Sequence, residues 1–496
     1  MEEGKMESLS TKRAQKQGRA QKRGHAQNRE RAHGVIRFIG LIAVTIVSLY
    51  LMPAADAIAD SKNGLFLPAT GEQIKKTKEA DQTVIRQRTV FIDFSKLPDA
   101  LYDSASGIET TIEFNLFPDV LLTGVIDSIS IKNNGDKVIW SGYIKSDNGS
   151  SVHLVRKDNV ISGNIRLTDG RFFQVRFYEG DTHLVIEIDQ SMYPEDDAPV
   201  PVETPLETQQ NGDTKSLDKN KRSGTTTIDV LVVYTSAAKT AAGSQSAIES
   251  LITLAETEAN ESFTNSGIDI ELNVVHTAQT NYTETSMSTE LSALRNTNDG
   301  KMDSIHTLRD DYGADLVQLW VSNGTNYCGL GYLMTNVSSS FASYAFSVVR
   351  YDCATGTYTF AHELGHNMGA EHDRYVATTE GAYSYSYGYV NTTDKWRTIM
   401  AYNDKCSDNG YNCTRINYWS NPDVSYDGVP TGKSASASNS ANNALTLTNT
   451  AATIAAFKDT ADTAAIPALN ISGAAVFIIA VSLSIAAALR RGMKKS

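Results

Sequence analysis

The stretch His362-Glu363-Leu364-Gly365-His366-Asn367-Met368-Gly369-Ala370-Glu371-His372-Asp373 constrains this chain more than any other. Four residues separate His362 from His366, and at 3.6 residues per turn both imidazoles fall on one helix face, a turn apart, where they can share one ion. The spacing therefore predicts a helix over about 357–368. Glu363 lies beside the pair, placed to take a proton from a water that a metal has acidified. Gly369 accepts the positive φ of a sharp helix exit, and the turn can bring His372 round as a third ligand. Three neutral imidazoles leave one position of a tetrahedral Zn²⁺ open, which distinguishes a catalytic site from a closed structural one. A bare His-Glu-x-x-His also occurs as two satisfied surface histidines, but the longer pattern fixes six residues and is far more specific. A distant glutamate as third ligand does not fit, because Glu371 is too near and Glu380 sits in a Gly- and Tyr-rich stretch that does not read as helix.

This motif, followed by Thr398-Ile399-Met400-Ala401-Tyr402, resembles a metzincin metallopeptidase with its Met-turn. Asp373 directly after the third histidine is similar to the adamalysin (reprolysin) side. The fuller resemblance is to the bacterial peptidyl-Asp metalloendopeptidase-like family, through Ile228-Asp229-Val230-Leu231-Val232-Val233-Tyr234-Thr235, Ser420-Asn421-Pro422-Asp423-Val424 and Gly428-Val429-Pro430-Thr431-Gly432. It covers roughly 225–458. The resemblance implies zinc held by His362, His366 and His372, with Glu363 as general base and Gly369, Asp373 and Met400 as structural support. It implies protein or peptide substrates cut on the amino side of aspartate, with a basic residue lining the pocket; Arg397 and Arg415 are the candidates. Tyr402 matches where some metzincins place a tyrosine that ligates zinc or bonds the reaction intermediate, and ordinary packing is the equal alternative. The resemblance also makes Phe346–Arg350 the antiparallel edge strand that borders the cleft and pairs with extended substrate.

The fold class expected is an α/β (α+β) catalytic domain, a twisted mixed sheet with an active-site helix, preceded by a small all-β prodomain. Strand Ile228–Tyr234, a helix carrying Ile248, Leu251, Ile252, Ala255, Ala259 and Phe263, and strand Ile268–Val274 open the catalytic domain. A helix with Ile305 and Leu308 and strand Leu316–Val321 follow, which makes an α/β upper half. Upstream, short β-branched runs such as 89–94, 125–131, 151–155 and 183–188 are punctuated by Asn134-Gly135-Asp136 and Asp169-Gly170. His153 and His183 read there as surface residues, and His276 and His306 as scaffold.

With 496 residues the chain exceeds one domain. Residues 1–57 read as a secretory signal with a long basic n-region, its apolar run from Val35 to Met52 leading to small-x-small sites near Ala57; retention as a type II anchor is the alternative. Residues 58–192 are the propeptide-like domain, with a permanent binding module as the bland reading. Residues 193–224 read as a Pro-rich linker whose basic cluster Lys219-Asn220-Lys221-Arg222 is a candidate processing site, with mere solubility as the alternative, and 225–458 as the catalytic domain. A second linker, 459–470, leads to an apolar helix over 471–489 and a basic tail over 490–496, either a membrane anchor with a cytoplasmic end or a sorting signal that is cut. The protein is thus expected to be exported and held at a bacterial surface or released. Without the two basic ends the body carries 52 acidic against 31 basic residues, which excludes nucleic-acid binding through phosphates.

Cys328, Cys353, Cys406 and Cys413 all lie in the catalytic domain, and an even number in an exported protein reads as two disulfides. Pairing Cys328 with Cys353 and Cys406 with Cys413 gives the shortest loops. No cysteine precedes Cys328, so a prosegment thiolate cannot cap the zinc. Calcium binding is not legible. The reading of a different class is a surface adhesion protein on a silent protease fold, against which an intact Glu363 argues.

Overall fold

The computed structural model describes residues 64–69, 81–102, 108–204, 224–323 and 326–459. The expected signal segment 1–57, the apolar helix 471–489 and the tail 490–496 lie outside the described residues. No helix among the described residues is long and apolar enough to cross a membrane.

Residues 66–188 form one nine-stranded antiparallel sheet. Its strands are β1 (Phe66–Pro68), β2 (Val84–Ile92), β3 (Thr111–Phe117), β4 (Val120–Lys132), β5 (Lys137–Ile144), β6 (Asp147–Lys157), β7 (Val160–Arg166), β8 (Phe172–Glu179) and β9 (Thr182–Ile188), in the order β1-β2-β9-β8-β7-β6-β5-β4-β3. Neighbours in sequence are mostly neighbours in space, so tight turns set the register. Phe114, Trp140, Val152, Leu154, Ile165, Phe173 and Val185 project from alternate positions into its core.

The second sheet has six strands: β10 (Val200–Val202), β11 (Thr226–Thr235), β12 (Ile270–Thr280), β13 (Leu316–Val321), β14 (Gly329–Met334) and β15 (Phe346–Arg350), in the order β10-β14-β15-β13-β11-β12. β14 alone runs antiparallel to its neighbour β15, while the other pairings are parallel. On one face lie α1 (Ser236–Ala242) and α2 (Gln245–Asn265), whose Ile248, Leu251, Ile252, Ala255, Ala259 and Phe263 join one large core. On the other face α3 (Met287–Arg295) and α4 (Ser304–Asp311) pack Met287, Leu291, Leu294 and Ile305 against Leu231, Val233, Leu319 and Val348. Burial on both faces explains the continuous apolar runs of β11 and β13. Helix α5 (Thr359–Asn367) is buried at every residue, under β14 and β15.

Two expectations about the sheet and its flanking segment need correction. Phe346–Arg350 is not the cleft edge: it lies inside the sheet between β13 and β14, and the antiparallel strand that borders α5 is β14. Its sequence, Gly-Leu-Gly-Tyr-Leu-Met, hides the strand because two positions are glycine. Of the supposed linker 193–224, residues 193–204 are described and are built into the fold, while the expected processing site at 219–222 lies outside the described residues. Asp196 is 2% exposed, and β10 adds to the free edge of β14, pairing Val200 with Tyr332 and Val202 with Met334. The cysteines pair as expected, Cys328 with Cys353 and Cys406 with Cys413.

The nine-stranded sheet packs on the polar side of α2. Asn164 donates to Glu258 at 2.5 Å, the Ser162 and Ser250 hydroxyls meet at 2.6 Å, Lys132 pairs with Glu256 at 2.7 Å, and Leu254 sits against Ile139 and Val155. His153 and His183 are buried rather than exposed. His183 accepts from the Ile161 amide at 3.0 Å, and burial lowers its pKa to about 4, so it is neutral. His153 lies 3.1 Å from Glu261. Burial alone would lower the His153 pKa, but Glu261 outweighs it and the net shift is upward; for Glu261, burial is likewise outweighed by His153 and the net shift is downward. Because one pKa rises above 6.5 and the other falls below 4.5, the pair stabilises the folded state most fully between those two values. Its contribution is lost as pH climbs through the raised His153 pKa. Urea unfolding of the full chain should therefore show stability declining above pH 6.5, with His153→Gln removing that part of the decline.

Candidate metal centre

The sequence enters α5 through Tyr358, whose left-handed φ of 63° is held under buried neighbours, with the Arg166 guanidinium 5.1 Å from its ring. One turn of helix then places His362 and His366 on the same face, and Gly369, at φ 86°, turns the chain so that His372 faces them. A side chain at Gly369 would collide with Ala382. The three Nε2 atoms converge at 3.1, 3.1 and 3.0 Å from one another.

Backbone carbonyls and a carboxylate fix these rings from behind. His362 Nδ1 donates to the Ile399 carbonyl at 3.0 Å and His366 Nδ1 to the Ala370 carbonyl at 2.8 Å, while His372 Nδ1 lies 3.4 Å from Glu371. With the proton on Nδ1, each Nε2 presents a lone pair to the same point. Burial lowers all three pKa values, His366 to about 4, so the rings are neutral. Three buried lone pairs facing one another repel unless a cation sits between them. Tetrahedral Zn²⁺ with bonds of about 2.0–2.1 Å spaces its ligand atoms by about 3.3 Å, close to what is found. The residues therefore fit a zinc ion.

Glu363 is fully buried beside them, with neither carboxylate oxygen hydrogen-bonded to the protein. Burial, then the nearby charge of Asp196, pushes its pKa well up. The edge strand is cut to receive it: a Cβ on Gly329 would lie 2.4 Å from Glu363 Oε1, and one on Gly331 3.0 Å from Oε2. These two glycines belong to the site, and nothing local in the sequence marks them. Met400 lies beneath, its sulfur 3.1 Å from where a side chain on Gly365 would start. Trp419 closes the same floor, stacked on Phe263 at 5.7 Å and donating to Ser262 at 2.8 Å.

Asp373 accepts from the amides of Tyr375 and Tyr402, both at 3.0 Å, which ties the end of the motif to the Met400 turn. The Tyr402 ring lies 4.1 Å from that of His372, and its hydroxyl donates to the Asp196 and Asp197 carbonyls. Arg397 and Arg415 are buried side by side behind His362. Arg415 meets Asp196 at 3.0 Å and Glu195 at 2.8 Å, and Arg397 meets Glu195 at 3.0 Å. Burial opposes the charge on Arg415, but Asp196 and Glu195 outweigh it, whereas burial prevails at Arg397 and brings it to about 10. The structure thus brings His362, Glu363, His366 and His372 together, with Asp373, Met400 and Tyr402 around them. It adds Glu195 and Asp196, which the Pro-rich composition around them disguised as linker.

Metallo-peptidase family M12, of the reprolysin type, matches residues 224–420. A peptidyl-Asp metalloendopeptidase of Stenotrophomonas maltophilia (strain R551-3) is 38% identical over 374 residues, covering 72% of this chain and 85% of that protein. Its counterpart in Xanthomonas campestris pv. campestris is 38% identical over 310 residues, 62% of this chain and 70% of that one. That of Pseudomonas fragi is 37% identical over 203 residues, 40% of this chain and 100% of that one. The first likeness is longer than everything after residue 204, so it reaches into the nine-stranded sheet. With the fold, the histidine cluster and these likenesses in agreement, the chain belongs to the peptidyl-Asp metalloendopeptidase family and is a zinc metalloendopeptidase.

Proposed function

We propose that His362, His366 and His372 hold the catalytic Zn²⁺ and that Glu363 is the general base of a metzincin-type endopeptidase. The observation that carries this reading is the convergence of three Nε2 atoms within 3.1 Å beside a buried carboxylate without a partner. When bound, Zn²⁺ supplies a Lewis acid that polarises the scissile carbonyl and lowers the proton affinity of a water. Glu363 takes the proton of the attacking water as its oxygen bonds to the carbonyl carbon, and then gives that proton to the amide nitrogen as the C–N bond breaks. Tyr402, whose hydroxyl donates to main-chain carbonyls of the segment lying in the cleft, would donate in the same way to a bound peptide. Gly369, Asp373 and Met400 position the ligands.

The relatives are named for cleavage at aspartate, and the buried Arg397 and Arg415 supply the charge that such a preference requires. The preferred substrate is a peptide with aspartate directly after the cut. The nine-stranded sheet acts as a propeptide, removed by processing within 193–224; residues 1–57 direct export, and 471–489 anchor or sort the product. Proteins or peptides outside the cell are then the substrates.

In a library of unbiased peptides, the zinc-loaded protein after processing should give cuts enriched in aspartate on the carboxyl side of the scissile bond, and a chelator should abolish them; cuts without that enrichment would refute the specificity. Glu363→Gln should lower kcat by about 10² to 10⁴ while leaving one zinc per chain, as read by metal analysis. His366→Ala should instead lose the metal, so the two variants separate proton transfer from metal binding.

A further inference from the structure

We infer that Glu195–Val202 is a built-in pseudo-substrate: Asp196 fills the subsite in which Arg415 and Thr359 read a substrate's aspartate, and the segment must leave before a substrate can enter. The inference rests on the acidic preference proposed above and adds the occupant, a second reading residue and the means of latency.

The segment takes up the edge that an extended peptide needs. Besides the β10 pairing, the Asp197 amide donates to the Gly329 carbonyl at 2.8 Å and the Cys328 amide to the Glu195 carbonyl at 3.2 Å. Thr335 donates to the Val202 carbonyl at 2.8 Å. The added strand thus lies along the very glycines that make room for Glu363. At its head the Asp196 carboxylate is fully enclosed. It accepts from Arg415 at 3.0 Å and from the Thr359 hydroxyl at 3.0 Å, and it lies 3.5 Å from His362 Nδ1. Thr359 is the first residue of α5, where the helix dipole also favours an anion.

Charge decides what the subsite wants. Arg397 and Arg415 are 6% and 3% exposed, and among the described residues Glu195 and Asp196 are the carboxylates within ion-pair distance of them. Arg415 Nε has no partner at all. Withdrawing the segment removes the carboxylates that pair with these two guanidiniums, and an entering carboxylate would replace them. An acidic peptide brings one on the same kind of backbone. The contacts of this acidic dipeptide with Arg397, Arg415 and Thr359 are what place it in the cleft.

The test uses the full-length, zinc-loaded chain with Asp196→Ala, and Thr359→Val in that background. Hydrogen exchange reports whether β14 has lost its partner, and a fluorogenic peptide with aspartate after the cut, beside its alanine counterpart, reports activity. Asp196→Ala should speed exchange in Gly329–Met334 and raise the rate on the aspartate peptide by about tenfold or more. A synthetic peptide of residues 193–204 should restore inhibition competitively, and its own Asp196→Ala form should bind about tenfold more weakly or worse. Thr359→Val should lower kcat/KM for the aspartate peptide relative to the alanine one. Unchanged exchange and rate in Asp196→Ala, or inhibition by the peptide that ignores Asp196, would overturn the proposal. Exchange needs no catalysis, so a variant that opens at Gly329–Met334 yet cuts nothing supports the segment's role and counts against the reaction proposed above.

Discussion

Everything at this centre depends on three imidazole lone pairs being held against their mutual repulsion. That is possible because each ring is fixed from behind, two by main-chain carbonyls at Ile399 and Ala370 and the third by Glu371, so the protons are committed to Nδ1 and cannot relieve the crowding at Nε2. One carbonyl is local to the motif and the other comes from 37 residues downstream of its ring. Ile399 belongs to the turn before Met400 and Ala370 to the exit opened by Gly369, which is why the motif helix, the glycine and the Met400 turn form one unit. Trp419 and Phe263 then lock that unit to α2, the helix on which the nine-stranded sheet rests.

The site was legible where its geometry is local. The four-residue spacing of His362 and His366 is a helix repeat, and Gly369 and His372 follow within the next turns, so neither distance nor partner had to be known. The alternation and burial runs of β11, β12 and β13 were visible for the same reason. β14 was not, because Gly329 and Gly331 are chosen by the carboxylate of Glu363, which arrives from more than thirty residues away. A strand with its side chains removed to admit a neighbour loses the pattern by which strands are recognised.

Burial of polar groups was the second blind spot. His153 stands out of phase with the core residues Val152 and Leu154, so outward is correct for it in the sheet alone, whereas His183 shares the inner face with Val185 and lies opposite Val90. What covers His153 is the carboxylate-bearing side of α2, and His183 is enclosed beneath the amide of Ile161. The acidic positions of α2 find their partners, Asn164, His153 and Lys132, about a hundred residues upstream. Sequence periodicity shows which face differs from the other. It does not show whether water or a second domain meets the polar one.

The same reasoning explains why the segment around Asp196 passed for a linker. Prolines and acids in a run have no core to build, and composition alone assigns them to solvent. Yet a proline-containing strand suits an exposed sheet edge, where one side of the strand needs no ladder bonds. Acids suit a pocket whose walls are buried guanidiniums. Arg397 and Arg415 are legible as charges in the sequence, but a buried charge is defined by its partner, and here the partner comes from 200 residues away in the chain. Once those two cations are placed behind His362, the position of Glu195 and Asp196 follows from charge: a buried cation calls for a counter-charge, and here the chain itself supplies it.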